Sequence, residues 1–133
     1  MYLNKLNNEQ KELFLDLSIH AAMSNDIFTD EEKVTVRQYC AEMNIPERYE
    51  AKLSIDEVIE KLSTISTKQE MRIVFMEITA LVLSDNIFDE QEQAFVKKVA
   101  AAAQVTDEEK DRIVDTVQEL YVVYGNIARF INS

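Results

Sequence analysis

Two acidic segments carry the side chains best suited to bind a cation. Residues 24–32 read Ser-Asn-Asp-Ile-Phe-Thr-Asp-Glu-Glu, and residues 84–92 read Ser-Asp-Asn-Ile-Phe-Asp-Glu-Gln-Glu. Several carboxylate oxygens at one point are the ligands that calcium and magnesium prefer. The candidate metal ligands are therefore Asp85, Asp89 and Glu92, with Asp26, Asp30 and Glu32 as weaker candidates.

The second segment is the stronger candidate because Asp85 stands where the first segment has the neutral Asn25. Fewer fixed charges bind a hard cation more weakly. A calcium-binding EF-hand is excluded, since neither segment has the glycine at the sixth loop position or the glutamate at the twelfth. A structural alternative remains open: acids in the first turn of a helix stabilise its dipole, which explains most of these residues but not Asp26 or Asp85.

Other residue types offer little chemistry. The chain has one histidine, His20, and one cysteine, Cys40, which excludes an internal disulfide, a multi-cysteine metal site and a standard di-iron site. Its single glycine excludes a glycine-rich phosphate loop. The sequence therefore predicts a protein that is not an enzyme, with calcium or magnesium as the one candidate cofactor.

The acidic segments belong to a helix–loop–helix unit that occurs twice, sixty positions apart, which indicates one supersecondary unit used twice. In each copy, Thr29 or Asp89 is predicted to cap the next helix, with a glutamate three positions later. Phe28 and Phe88 are predicted to be buried between the helices that they join. We therefore predict one domain, residues 1–133, whose halves 8–63 and 67–124 are related by a pseudo-twofold axis.

The fold class follows from the turn residues and the helix start signals. One glycine and one proline in 133 residues favour an all-α fold over strands and tight hairpins. Capping-box start signals at Thr29, Ser54, Thr67, Asp89 and Thr106 predict a bundle of about seven helices. The helices are expected near residues 8–23, 30–43, 46–53, 54–63, 67–83, 89–103 and 106–124.

The fifth helix and the last helix carry further predictions. The fifth helix is apolar on nearly every side and is therefore predicted to lie at the centre of the bundle. Gly125 is expected to end or weaken the last helix, after which Ile127, Phe130 and Ile131 pack back as a short tail. Tyr121 and Tyr124, on that helix, are each either a core residue or an exposed contact.

The net charge of −11, from 25 acidic and 14 basic residues, restricts the partners. It argues against a nucleic-acid binder and against docking on an anionic membrane surface, both of which need a basic face. The longest apolar run, residues 73–83, is too short to cross a bilayer, and the first residues lack the apolar core of a signal peptide. A cytoplasmic location without membrane insertion is expected.

The repeated pattern resembles the tellurite-resistance TerB-like family, which includes the N-terminal domain of the DjlA co-chaperone. Residues 84–88, Ser-Asp-Asn-Ile-Phe, look like the family's turn of a small residue, aspartate and glycine, and Glu92 matches the acid that follows. Residues 24–28 and Glu32 fill the same places, although Asn25 replaces the aspartate. The resemblance implies an all-α fold of two halves, a role in stress response, divalent-cation binding and interaction at the inner face of a membrane.

Two functional hypotheses follow. The first is a non-enzymatic module that binds a protein partner, with or without a divalent cation. The second is an acidic decoy that occupies a basic or nucleic-acid-binding protein surface, as the charge of −11 suggests. The two differ in the position of the acids, which are focused at the loops in the first case and spread along one face in the second.

Overall fold

The computed structural model describes residues 1–24, 28–84 and 88–133, and these residues form only helices and their connections. A 3-10 turn at Leu3–Lys5 precedes six α-helices: α1 Asn8–Ala22, α2 Asp30–Met43, α3 Ile55–Ile65, α4 Lys68–Val82, α5 Glu90–Ala102 and α6 Asp107–Ile131. The prediction of an all-α bundle is confirmed, with six helices rather than about seven.

Each of the six helices begins at a capping box. The cap side chain accepts a hydrogen bond from the backbone N–H three positions on, and that residue's side chain accepts one from the cap's own N–H. These reciprocal bonds satisfy donors that the first helical turn leaves without partners. The caps are Asn7, Thr29, Ser54, Thr67, Asp89 and Thr106. All but Asn7 are predicted by their sequence signature.

Helix α4 lies at the centre of the bundle, as predicted. It contacts α1, α2, α5 and α6, and it is buried along most of its length. Phe75, Ile78 and Leu81 are almost fully removed from solvent. Burial of such side chains stabilises the fold by about 1.5–3 kcal/mol each, so packing around α4 contributes strongly to the stability of the bundle.

Residues 46–53 form an extended loop, so the prediction of a third helix there is wrong. Asp16 on α1 is buried, and its carboxylate accepts hydrogen bonds at 3.1 Å from the backbone N–H groups of Lys52 and Leu53. The guanidinium of Arg48 binds the same carboxylate. These long-range bonds occupy backbone N–H groups of the loop that would otherwise donate within a helix. They outweigh the preference of Pro46 for the first turn of a helix.

The helix limits repeat at the spacing seen in the sequence. Helices α1 and α4 begin and end sixty positions apart, and α2 and α5 begin sixty positions apart. Asn44 and Gln104, which follow α2 and α5, both have a left-handed backbone with φ of 57°. Loop 46–53 has no counterpart in the second half, where Thr106 caps α6 two positions after Gln104. The pseudo-twofold relation of the halves stays a prediction.

Helix α6 continues through Gly125 to Ile131, so the predicted end near Tyr124 is wrong. A glycine ends a helix by taking a left-handed backbone, and Gly125 has no positive φ. Ile127 and Phe130 are exposed and do not pack back as a tail. The C-terminal part of α6 therefore has apolar side chains that the described residues leave uncovered.

The two phenylalanines of the repeated segments are half-buried against the core, so the prediction that both are buried is only partly right. Phe28 packs edge-to-face on Tyr49, with ring centroids 5.9 Å apart, and the Lys33 ammonium lies 5.8 Å from the Phe28 ring centre. Both rings directly precede a helix cap, where they pack against the core and stay partly open to solvent.

Candidate functional site

The structure brings together two of the three preferred metal-ligand candidates. The Asp89 carboxylate accepts a hydrogen bond from the Glu92 backbone N–H at 2.8 Å, and the Glu92 carboxylate accepts one from the Asp89 N–H at 3.3 Å. Glu92 is buried, with 1% of its surface exposed. One oxygen of each carboxylate thus takes part in the capping box. This agrees with the structural alternative, in which these acids stabilise the start of a helix. Asp85 lies outside the described residues.

The first segment is arranged in the same way. The Glu32 carboxylate accepts hydrogen bonds at 3.0 Å from both the backbone N–H and the hydroxyl of Thr29, and Glu32 is as deeply buried as Glu92. Asp30 is exposed in the first turn of α2. Asp26 lies outside the described residues. Both copies therefore bury the glutamate at the third helical position, a feature that the sequence pattern of a capping box does not reveal.

No group of three His, Cys, Asp or Glu side chains that could hold a metal occurs within residues 1–24, 28–84 and 88–133. The His20 ring nitrogen Nε2 lies 2.8 Å from the Leu53 carbonyl oxygen, so this side chain helps to fix loop 46–53. Burial raises the pKa of the Cys40 thiol, which disfavours the nucleophilic thiolate. Both residues have a structural role in this part of the chain.

A groove of about 500 Å³ lies where α2, α4 and α6 meet. Its walls combine apolar and acidic side chains from the three helices, together with the Met1 end of the chain. Residues that line it include Glu31, Val34, Glu77, Leu120, Tyr121 and Tyr124. A concave surface of this kind accepts an apolar side chain more readily than a flat one.

Two tyrosines fix the walls of this groove. The Tyr39 hydroxyl donates a hydrogen bond to the Glu77 backbone carbonyl at 2.7 Å, and the Tyr121 hydroxyl donates one to the Ala80 carbonyl. Burial, with the charge of Glu77 second, raises the pKa of Tyr39 well above its ordinary value and that of Tyr121 to about 12. Both hydroxyls are therefore neutral donors at pH 7: Tyr39 positions α2 on α4, and Tyr121 positions α6 on α4.

Beyond the groove, α6 presents an uncovered apolar surface. The exposed fractions of its large apolar side chains range from 50% at Val123 to 82% at Phe130. The exposed members are Val122, Val123, Tyr124, Ile127, Phe130 and Ile131. Arg129 is the one charged side chain in residues 120–131. Sequence reasoning missed this surface because it ended the helix at Gly125; helical spacing of apolar residues across that glycine is the signal that predicts it.

Within the described residues, no helix is long and apolar enough to cross a membrane. This agrees with the prediction from the short apolar run at residues 73–83.

Comparison with known proteins identifies the fold. Neither a family model nor a curated protein sequence matches the chain. A solved tellurite resistance protein from Nostoc punctiforme has a similar structure, with a TM-score of 0.60 and 21% identity over 93% of this chain and 78% of that one. The chain therefore has the fold of a tellurite resistance protein. The all-α fold that the resemblance to the TerB-like family implied is confirmed.

Proposed function

We propose that the protein is a non-enzymatic interaction module with a TerB-like fold, which binds a protein partner through the end of α6 and the adjoining groove. The observation that carries this proposal is the exposed apolar end of α6. Soluble proteins rarely expose contiguous apolar patches of more than a few hundred Å², and larger ones mark interaction sites. The likeness to a tellurite resistance protein supports a role in stress response.

The composition of this surface favours a protein as the partner. Aromatic residues and few charges are typical of the centre of a protein interface. A nucleic acid requires several basic side chains to displace counterions, and residues 120–131 offer only Arg129. Membrane-surface helices have basic polar faces, which α6 lacks.

Capture from the native cell with matched variants tests this function. The full chain and its Phe130→Asp variant serve as baits, with Gln118→Asp, exposed on α6 but outside its apolar end, as the control. A partner retained by the full chain and the control but lost with Phe130→Asp supports the proposal. Equal retention by all three baits would contradict binding through this surface. Capture of a basic or nucleic-acid-binding protein by all three, abolished at high salt, would favour the acidic decoy instead.

We further propose that the second acidic segment binds calcium or magnesium as a component of this function. The burial of Glu92 beside Asp89 supports it, because a buried carboxylate is stabilised by a nearby positive charge. Calorimetric titration of each ion into the full chain and into Asp85→Asn tests this component. Stoichiometric heat that Asp85→Asn abolishes is expected. Heat that survives the substitution would locate the ion elsewhere, and no heat at millimolar ion would leave these acids as helix caps.

A further inference from the structure

The apolar residues at the end of α6 have the spacing of a coiled-coil seam. Leu120, Val123, Ile127 and Phe130 recur at intervals of three, four and three positions, which is the alternation of a and d positions in a heptad. The residue after Val123 and the residue after Phe130 are also apolar, and they widen the seam on one side. Val122 lies at a c position, away from the seam, although it is equally exposed. We call these residues, 120, 123, 124, 127, 130 and 131, the α6 seam.

The first half of α6 and its second half differ in what covers them. Val117 is buried and Ile113 and Val114 pack against the core, in the part of α6 that contacts α4 and α5. From Val122 onwards, none of the described residues covers the large apolar side chains of α6. A helix with so many apolar side chains is stable in water when another helix covers it.

We propose that the α6 seam pairs with the seam of a second copy of this chain, antiparallel to it, about a twofold axis near residue 125. This inference rests on the proposed interaction surface and names its partner. In an antiparallel pair, a positions face d positions of the other helix. Leu120 then faces Phe130 of the second copy, and Val123 faces its Ile127. All four contacts across the axis are satisfied by one register.

The groove extends the contact that Phe130 makes with the other copy. Leu120 and Tyr124 line both the seam and the groove, so Phe130 of the second copy reaches the groove mouth beside Val34. One chain cannot make this contact with itself, because Leu120 and Phe130 lie on one continuous helix, ~15 Å apart. The exposed phenylalanine of one copy can therefore meet the groove only in another copy.

The charges of α6 favour the antiparallel arrangement. Its six acids all precede the seam and none follows it: Asp107, Glu108, Glu109, Asp111, Asp115 and Glu119. A parallel pair would place these acids side by side, where like charges oppose association. The antiparallel pair separates them. The seam itself carries no charge.

The surface is large enough for a stable dimer. Five side chains of the seam, each at least half exposed, present on the order of 600 Å² of apolar surface: Val123, Tyr124, Ile127, Phe130 and Ile131. The groove walls add to this, towards the ~800 Å² per partner of a standard interface. Each copy buries the same patch, as a twofold interface requires.

Sedimentation of the full chain across a concentration series tests the dimer. A species of twice the 15.4 kDa chain mass is expected to dominate as concentration rises. Phe130→Glu and Ile127→Glu, at the seam, are each expected to raise the dimer dissociation constant by about 30-fold or more, as for hot-spot residues. Val122→Glu, equally exposed but away from the seam, is expected to leave it unchanged. Loss of the dimer with Val122→Glu alone would overturn the seam assignment.

Disulfide formation tests the register. A Leu120→Cys chain is mixed with a Phe130→Cys chain under oxidising conditions; the native Cys40 is buried. The mixed 120–130 disulfide is expected to predominate. Predominance of 120–120 and 130–130 disulfides would overturn the antiparallel register.

The failure of this inference is distinguishable from the failure of the proposed function. A chain that sediments as a monomer up to millimolar concentration overturns the dimer. If the same chain still captures a different protein that Phe130→Asp loses, the interaction surface stands with another occupant. If both measurements are negative, the interaction surface fails with the dimer.

Discussion

Asp16 is the buried carboxylate that fixes loop 46–53 to α1, and its removal tests that role. Asp16→Ala is expected to lower the free energy of unfolding by about 2–4 kcal/mol, because it removes the buried carboxylate partner of Arg48 and leaves two loop N–H groups without their acceptor. Urea denaturation measures the loss. The matched control is Glu12→Ala, since Glu12 contacts the same guanidinium from a half-exposed position. Its cost is expected to stay below about 1 kcal/mol; equal costs would contradict the role of Asp16.

Phe88, in the second repeated segment, is half-buried, and its replacement measures how much this partial burial stabilises the fold. Phe88→Ala is expected to cost about 1.5–3 kcal/mol, below the usual range for an aromatic core site, because the ring is only half-buried. Phe130→Ala provides the control with the same change of side chain at an exposed position, with an expected cost within about 0.5 kcal/mol for the monomer. Denaturant melts at low protein concentration compare the two. A larger loss from Phe130→Ala would show that the monomer buries the end of α6.

At the scale of the helix, Gly125 weakens α6 without ending it. Gly125→Ala is expected to stabilise the end of the helix by about 0.5–1 kcal/mol, since alanine has the higher helix propensity. A Cβ atom at this position would meet no atom within 4 Å. Hydrogen exchange of the amides in residues 122–131 measures the effect, which is expected as slower exchange. Ala128→Gly, three positions on, is expected to act in the opposite direction; no change in either variant would contradict a continuous helix.

The contact between α4 and α6 depends on pH through Glu109. Its carboxylate accepts a hydrogen bond from the Arg72 guanidinium at 2.7 Å and belongs to the capping box at Thr106. The Arg72 bond, followed by the bond from the Thr106 backbone N–H, lowers the pKa of Glu109 from 4.5 to about 2. Because the folded pKa is the lower one, the stabilisation is complete above about pH 4.5 and is lost as the pH falls towards 2.

Denaturation of the full chain and of Glu109→Gln between pH 6 and pH 2 measures this dependence. The difference in stability between the two is expected to be largest above pH 4.5 and to shrink towards pH 2. In an Arg72→Gln background the pH-dependent part of the difference is expected to be smaller. A difference that is constant across this range would contradict the low pKa.

At the scale of the whole molecule, the sequence predicts what local patterns determine. A cap and a glutamate three positions later suffice to start a helix, which is why Ser54 and Thr67 are correctly placed. Loop 46–53 is missed because its backbone donors are bound by Asp16, thirty or more positions away.

The candidate site is missed for a related reason. Whether an apolar side chain of α6 is covered depends on where α4 and α5 end in space, and this is a property of the assembled bundle. The burial of Glu32 and Glu92 has the same origin, since a capping box can form at an exposed or a buried helix start. The resemblance to the TerB-like family rests on a short repeated motif. It predicted the fold because this motif connects two successive helices in each half, α1 to α2 and α4 to α5.

The central position of α4 predicts that the two halves unfold together. A single cooperative transition is expected in urea, with the same midpoint by circular dichroism at 222 nm and by tyrosine fluorescence. The physical reason is that α4 belongs to the second half by sequence but contacts α1 and α2 of the first. Two separated transitions would instead divide the chain into independently folding halves.

The length of the exposed end of α6 has an electrostatic consequence. Residues 120–131 span ~16 Å along the helix axis. At physiological ionic strength the Debye length is about 8 Å, so the far end of α6 is about two screening lengths from the point where the helix leaves the acidic bundle. The charge of −11 therefore acts weakly on whatever docks there in physiological salt, and strongly in dilute buffer. The end of α6 therefore acts as a spacer. It holds the interface far enough from the acidic bundle for partners that are themselves negatively charged to bind there.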